Sequence, residues 1–110
     1  LVKFSEVLFR YYTPEIVTDA PLTVNIRRYE DAERTVLHFT NYDFDQVADR
    51  FNSAPSFSVT VTLPESTSPV QARLYDFEVG VVRDIEFTVN DGKATFEINS
   101  LYAYAVVELK

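Results

Sequence analysis

Short runs in which apolar and polar residues alternate one by one recur from residue 22 to the end of the chain. The clearest run spans residues 57–63, where four apolar residues alternate with hydroxyl residues between Pro55 and Pro64. Successive side chains of a strand point to opposite faces of a sheet, so this alternation indicates strands with one buried face. About seven such runs follow one another at intervals of about ten residues, with no helical pattern between them. The sequence therefore predicts an all-β fold, an antiparallel two-sheet β-sandwich of about seven strands.

One hairpin in this series is predicted by its turn residues, Asn90-Asp91-Gly92. A two-residue type I′ turn needs positive φ angles, which Asn, Asp and Gly adopt most easily. The inward positions of all the runs predict the core, which comprises Leu22, Val24, Ile26, Leu37, Phe39, Phe57, Val59, Val61, Leu74, Ile85, Phe87, Phe96, Ile98, Val107 and Leu109.

The first twelve residues follow a helical pattern instead. Their three charged residues fall three and four positions apart and form one polar stripe, while most of the remaining circumference is apolar. Pro14 would end the helix, because the residue before a proline is pushed out of the α region. We expect residues 1–13 to form a short N-terminal helix or interdomain segment and residues 20–110 to form the sandwich domain. A strand or an irregular arm is the alternative for the N-terminal segment.

The last ten residues, 101–110, read as a strand that is apolar on both faces. Tyr102, Tyr104 and Val106 lie on one face, and the alternate residues lie on the other. A strand of a small sandwich usually needs only one apolar face, so the second one predicts a cover from outside the strand. We expect the N-terminal helix to pack there and to leave part of its own apolar surface, including Phe9, for a partner. The predicted interdomain or partner contacts are Phe9, Tyr12, Tyr102, Tyr104 and Val106.

Composition narrows the classes of partner. The chain has 110 residues, a net charge of −7 and no cysteine. The negative charge repels phosphate backbones, and no basic cluster exceeds the pair Arg27-Arg28, so we expect no nucleic-acid partner. No apolar run approaches the roughly 20 residues of a membrane span, so we expect no membrane partner. The absence of cysteine leaves the cellular compartment undecided. If the apolar surface of the N-terminal helix is left uncovered, we expect this chain to self-associate.

The polar residues form no recognisable catalytic motif or metal-binding motif. His38 is the single histidine and has no nucleophile at a useful spacing, so we expect it to be structural. Residues 42–56 interrupt the alternation, and the spacing of Phe44, Val47 and Phe51 predicts one helical turn that packs two aromatic rings on the core. Three aspartates of this loop could bind Ca²⁺, but a solvated acidic loop is the preferred interpretation. These are Asp43, Asp45 and Asp49.

Glycoside hydrolysis would need two carboxyl groups that converge across a cleft. The available acids are Glu78, Asp84, Glu86 and Glu97. Glu86 and Glu97 fall at outward positions of the predicted hairpin, where solvated surface is the default expectation. We therefore predict no catalytic residue, no cofactor and no metal in this chain.

Exposed aromatic rings leave two interpretations open. Sugar-binding modules stack pyranose rings on such side chains, and docking surfaces use Tyr for its apolar body and polar tip. The outward candidates are Tyr29, Tyr42, Tyr75, Tyr102 and Tyr104. We prefer docking to a partner, with carbohydrate binding as the alternative.

Four segments together suggest a family. They are Phe-Arg-Tyr-Tyr at 9–12, Val-Leu-His-Phe-Thr-Asn-Tyr at 36–42, Phe-Ser-Val-Thr-Val-Thr-Leu-Pro at 57–64, and the Tyr-rich stretch 98–107. Their order resembles the C-terminal β-sandwich that follows the (β/α)₈ catalytic barrel in several bacterial glycoside hydrolase families. The family of dextranase and cycloisomaltooligosaccharide glucanotransferase is one such relative.

The resemblance implies a non-catalytic accessory domain that packs against a catalytic barrel of the parent chain and stabilises it. In such enzymes the catalytic carboxylates belong to the barrel, so no functional residue carries over to these positions. The resemblance also implies a secreted or periplasmic bacterial parent. The rival hypotheses are a carbohydrate-binding module and an immunoglobulin-like adhesion or assembly domain.

Overall fold

The computed structural model describes residues 10–13, 16–30, 34–64, 68–77 and 80–110. These residues form strands and turns, and none of them forms a helix that could cross a membrane. The twelve strands of the described residues are β1 (Arg10–Thr13), β2 (Ile16–Thr18), β3 (Val24–Glu30), β4 (Thr35–Asn41), β5 (Phe44–Asp45), β6 (Arg50–Phe51), β7 (Phe57–Thr62), β8 (Ala72–Asp76), β9 (Val81–Ile85), β10 (Phe87–Asn90), β11 (Lys93–Ile98) and β12 (Tyr104–Leu109).

Ten of these strands form two antiparallel sheets. Sheet A has the order β1-β2-β7-β11-β10, and sheet B has the order β3-β4-β12-β8-β9. The remaining strands, β5 and β6, form a small separate hairpin. Strand β12 lies in the middle of sheet B and pairs with β4 on one side and β8 on the other. The predicted all-β antiparallel fold is confirmed, with more and shorter strands than the alternation indicated.

The core lies between the two sheets and is centred on Phe39 of β4, which is fully buried. Its ring centroid lies 6.0 Å from that of Phe57 and 6.3 Å from that of Phe96, both on the opposite sheet. Nearly all of the predicted core residues are buried, while Ile85 and Phe87 are half-buried at the edge of the cluster. The prediction for Leu22 is wrong: its side chain is 83% exposed, because the residue lies in the turn that precedes β3.

The predicted hairpin joins β10 to β11. Asn90 pairs with Lys93, and the two residues between them both have positive φ angles, 55° for Asp91 and 74° for Gly92. This is the left-handed backbone that a type I′ turn requires.

The N-terminal segment differs from the prediction. Arg10–Thr13 form edge strand β1, which pairs with β2 in sheet A, so the expected helix does not include these residues. Tyr and Thr, the residue types at positions 11–13, favour strands. An isolated helix of this length is only marginally stable, whereas β1 is stabilised by its pairing with β2. Residues 1–9, which include Phe9, lie outside the described residues.

The loop 42–56 also differs from the prediction. Its aromatic residues pair across the β5–β6 hairpin, where Phe44 lies opposite Phe51 at a centroid distance of 5.0 Å, and Val47 is exposed at the tip. The Asp45 carboxylate accepts hydrogen bonds from two backbone N–H groups of the turn, and Asp49 has a positive φ of 57°. These two aspartates reverse the chain within four residues, which leaves no room for the predicted helical turn.

Asn41 joins this hairpin to the sandwich. Its side-chain amide donates hydrogen bonds to the carbonyl oxygens of Asn52 at 2.9 Å and Tyr102 at 2.8 Å, and its Oδ1 accepts one from the Asp43 N–H at 3.1 Å. The residue is 1% exposed, so water cannot replace these bonds. The Asn41 side chain therefore links the end of β4 to the β5–β6 hairpin and to the bend before β12.

We expect Phe96→Ala to lower the free energy of unfolding by about 3–5 kcal/mol, because it leaves a cavity in the core. Leu22→Ala removes an exposed side chain and should change the free energy of unfolding by less than about 0.5 kcal/mol. Urea unfolding followed by tyrosine fluorescence measures both values. Equal effects of the two substitutions would contradict the described core.

We expect Asn41→Leu, which keeps the branched shape of the side chain but removes the amide, to cost about 2–4 kcal/mol by leaving buried carbonyl groups without donors. The same urea unfolding measures the loss. The matched control is Asn52→Leu, whose amide makes a single exposed hydrogen bond to Asp43. A loss for Asn41→Leu no larger than that for the control would show that the amide does not hold the hairpin.

Candidate functional site

The outer faces of the two sheets differ in chemistry. The outward positions of β7, β10 and β11 in sheet A carry mainly hydroxyl and charged side chains: Ser58, Thr60, Thr62, Thr88, Asn90, Lys93, Thr95 and Glu97. Such a face is stable in water without a cover. Sheet B instead presents a surface that we call the aromatic face, formed by Tyr29, Val36, His38, Tyr75, Phe77, Val82, Tyr104 and Val106.

Four rings form a continuous row across this face. The ring of His38 lies 5.0 Å from Tyr29 and 5.8 Å from Tyr104, and the ring of Phe77 lies 5.3 Å from Tyr104 on the other side. Neighbouring strands supply successive members of the row, so the pairing of β3, β4 and β12 places them in contact. His38 also contacts the Tyr104 hydroxyl through its Nδ1. The imidazole is therefore part of an aromatic cluster, in keeping with its expected structural role.

The rings cover the second face of β12. Val106 lies between His38 and Tyr75 in the pairing of the three central strands, and it is 8% exposed. The predicted cover is the N-terminal helix or a docked neighbour, whereas among the described residues Val106 is covered by side chains of neighbouring strands in the same sheet. The described end of the N-terminal segment does not provide it, because β1 belongs to sheet A.

Tyr102 and Tyr104 do not share a strand face. Tyr102 lies in the bend before β12, where its ring packs 5.5 Å from Phe51 and its hydroxyl accepts a hydrogen bond from the Phe51 N–H. Tyr104 and Val106 lie together on the aromatic face, as predicted. Of the proposed contacts, Phe9 lies outside the described residues and Tyr12 belongs to β1.

A buried carboxylate lies at one end of the aromatic face. Glu108 accepts a hydrogen bond from Arg34 at 2.7 Å on one oxygen and from the Tyr75 hydroxyl at 3.2 Å on the other. The hydrogen bond from Arg34 is the main cause that holds the pKa of Glu108 below its ordinary value, while burial opposes it. A side-chain hydrogen bond with Tyr75 also raises the pKa of Arg73 above its ordinary value. This network accounts for a charged residue in the middle of a sheet.

The outermost part of the aromatic face is open to solvent. Tyr29 is 51% exposed, Val82 is 55% exposed and Phe77 is 58% exposed. The row of rings thus connects two exposed aromatic side chains, Tyr29 and Phe77, at its two ends.

The acidic candidates fall into three groups. Glu78 lies outside the described residues. Asp84 is on β9, where it accepts a hydrogen bond from Gln71 and lies 3.7 Å from the Arg73 guanidinium. Glu86 and Glu97, in contrast, line one cleft together with Ser58, at the point where the chain crosses from sheet B to sheet A. The predicted hairpin already places Glu86 near Glu97, because β10 pairs with β11. The sequence did not indicate that Ser58 lies beside them, because that depends on the nonlocal pairing of β11 with β7.

The aspartates of the hairpin are occupied locally. Asp43 accepts a hydrogen bond from the Asn52 amide, and Asp45 caps the turn. Among the described residues there is no group of three or more His, Cys, Asp or Glu side chains that could hold a metal ion.

Comparison with known proteins identifies the fold. No protein-family model matches the chain, and no curated protein matches it. Among solved structures, an α-L-fucosidase isoenzyme 2 from Paenibacillus thiaminolyticus matches with a TM-score of 0.69 and 17% identity, over 87% of this chain and 15% of that one. A cycloisomaltooligosaccharide glucanotransferase from Paenibacillus sp., complexed with cycloisomaltoheptaose, matches with a TM-score of 0.66 and 12% identity, over 84% of this chain and 16% of that one.

Both structural neighbours are carbohydrate-active enzymes, and at these identities the likeness is one of fold. The chain spans 15% and 16% of the length of the two enzymes. The fold is therefore one that occurs as a small part of larger enzymes.

The stability of the sandwich should depend on pH through Glu108. A carboxyl group with a lowered folded pKa adds stability above its unfolded pKa of about 4.3, and this contribution is lost as the pH falls through the folded value. The difference in free energy of unfolding between the wild type and Glu108→Gln should thus be largest above about pH 5 and shrink below about pH 4. Urea unfolding across this range measures it, with Glu86→Gln as an exposed control. A difference in the free energy of unfolding that stays constant with pH would contradict the lowered pKa of Glu108.

Proposed function

We propose that this chain is a non-catalytic accessory β-sandwich of a carbohydrate-active enzyme, and that its aromatic face packs against the catalytic domain of the parent chain. The observation that carries the proposal is the asymmetry of the sandwich. Sheet A presents hydroxyl groups to solvent, whereas sheet B presents a row of rings flanked by half-exposed apolar side chains.

The composition of the aromatic face suits an interface between domains. Interfaces are enriched in Tyr, Phe and Arg, because these side chains bury a large area and still offer polar groups at their tips. Tyr29, Tyr75 and Tyr104 supply hydroxyl groups here, and Arg27 and Arg73 flank the rings. A sheet surface of this breadth fits another folded domain better than it fits a small ligand, since the cavity beside Tyr29, Arg34 and Val36 has a volume of only about 110 Å³.

The enzyme context is supported by the two structural neighbours. Each contains this sandwich fold as a minor part of a much longer chain. In the proposed parent, substrate binding and catalysis belong to the other domain, and the sandwich stabilises that domain by covering part of its surface. The parent's substrate belongs to the glycosides, the chemical class on which the named enzymes act.

The test is a pair of substitutions on the aromatic face, Phe77→Ser with Val82→Ser, made in the full-length gene product. Both side chains are more than half exposed, so the fold should tolerate their loss, but the apolar contact with the catalytic domain should weaken. We expect faster proteolytic release of the sandwich and a lower melting temperature of the catalytic domain. The isolated chain should self-associate through the same face, and the double substitution should return it to a monomer in sedimentation equilibrium.

The control is Tyr42→Ser, which removes a 66% exposed ring that precedes the β5–β6 hairpin and is not one of the residues that form the aromatic face. It should alter neither proteolytic release nor self-association. Equal effects of Tyr42→Ser and of the double substitution would contradict docking through sheet B. A full-length gene product without a catalytic domain would favour the adhesion or assembly hypothesis instead.

A further inference from the structure

Strand β10 lies at an open edge of sheet A, with β11 on one side and no neighbour on the other among the described strands. The direction of its backbone groups follows from the turn that joins it to β11. Asn90 and Lys93 flank a two-residue type I′ turn, and residues in those positions exchange hydrogen bonds with each other. Hydrogen-bonded pairs alternate along an antiparallel ladder, so Thr88 is bonded to β11 as well. The N–H and C=O groups of Phe87 and Val89 therefore point away from β11, toward the open edge.

The other edge strands of the two main sheets carry features that protect an edge. Strand β3 contains Arg27, Arg28 and Glu30, and strand β9 contains Arg83 and Asp84. Strand β1 begins with an arginine and is followed by a proline. Charged side chains and proline are common protection against pairing with another chain. Strand β10, whose sequence is Phe-Thr-Val-Asn, has neither.

The inner face of sheet B is uncovered next to this open edge. Arg83 of β9 pairs with the buried Leu74, so Arg83 and Val81 lie on the core side of sheet B. Arg83 is nevertheless exposed, and Val81 is 43% exposed. Val89, which pairs with the buried Ala94 on the core side of sheet A, is 42% exposed. Among the described strands, sheet A is thus one strand too narrow to cover β9.

We propose that an extended segment of another polypeptide, the guest strand, adds to β10 as a sixth strand of sheet A. The free N–H and C=O groups of Phe87 and Val89 pair with its backbone. In strand addition of this kind, main-chain hydrogen bonds give affinity and alternate side chains give specificity. Because β10 has only four residues, side chains of the guest strand that cover Val81 and Val89 also have to contribute.

Arg83 determines the chemistry of the guest strand. Its guanidinium has no hydrogen bond or ion pair among the described residues, and it lies on the face of β9 that the guest strand covers. A carboxylate at one inward position accepts hydrogen bonds from this guanidinium, and apolar side chains suit the inward positions beside Val81 and Val89. The outward positions lie beside Thr88, where hydroxyl side chains form favourable pairs. The partner is therefore a segment in which apolar and hydroxyl residues alternate and Asp or Glu holds one apolar position.

This inference goes beyond docking through sheet B. The guest strand occupies an edge of sheet A and the inner side of β9, whereas the aromatic face is the outer side of sheet B. A domain on the aromatic face and a strand on β10 contact different surfaces. The two proposals can therefore fail separately.

The experiment uses synthetic peptides of about seven residues in which Val and Thr alternate and Glu replaces one Val, with one peptide for each position of Glu. The readout is amide hydrogen exchange of this chain, followed by NMR. The Phe87 and Val89 amides should exchange fast in the free chain, and at least one peptide at roughly ten times its Kd should slow both about tenfold. The Thr88 amide is bonded to β11 and should exchange slowly with and without peptide.

Matched changes in the peptide and in the chain identify the contacts. A peptide with Pro at its centre cannot complete the ladder and should not slow exchange. Arg83→Gln should weaken binding of the best Glu peptide about threefold, because an exposed ion pair is lost, and should leave binding of the matching Gln peptide unchanged. Arg27→Gln, which removes the same charge from edge strand β3, should change neither.

Three results would overturn the proposal. They are no slowing of the Phe87 and Val89 amides by any peptide at up to about 10 mM, equal slowing by the peptide that contains Pro, and slowing of the amides of β3 in place of those of β10. Equal losses of affinity for Arg83→Gln and Arg27→Gln would overturn the assignment of the carboxylate to Arg83. None of these results bears on docking through sheet B.

Discussion

Strand β12 has to be kept out of water on both of its faces, and much of the structure follows from this. Its inward residues, such as Val107 and Leu109, belong to the core between the sheets. Its outward residues Val106 and Glu108 are buried as well, although no second layer lies above them among the described residues. Large side chains on the neighbouring strands are therefore needed to shield Val106 and Glu108 from water. Sheet B supplies them as the rings of His38, Tyr75 and Tyr104 and the guanidinium of Arg34.

The same rings create the surface that we propose as the docking site. Side chains large enough to bury Val106 from the side leave their own outer edges exposed, so covering the strand produces an aromatic face. Sheet A has no such requirement, because its outward residues are mostly Ser and Thr that water solvates directly. The two outer faces of the sandwich thus differ, with rings on sheet B and hydroxyl groups on sheet A.

The parts of the fold that depend on local alternation could be predicted from the sequence. Phe39, Val59 and Phe96 follow a period of two within their own strands, so their inward direction needs no knowledge of neighbours. Pairing order is nonlocal, and alternation contains no information about it. The positions of β7 beside β11 and of β8 beside β12 could not be predicted for this reason.

The errors in the prediction also have physical causes. At Arg10–Thr13, pairing with β2 prevails over a helical spacing of charges. Tyr102 and Tyr104 appear to share a face only if the strand is regular through residue 102. The bend before β12, held by the Asn41 amide, turns Tyr102 toward Phe51 instead.

The most direct test of the central claim is hydroxyl-radical footprinting of the aromatic face in this chain alone, diluted until sedimentation shows a monomer, and in the full-length gene product. Tyr29, Phe77 and Tyr104 should be oxidised in the isolated chain and protected in the full-length protein, while Tyr42 should react equally in both. Equal oxidation of Tyr29 and Phe77 in the two forms would show that no other domain covers sheet B, and it would contradict the proposed packing role.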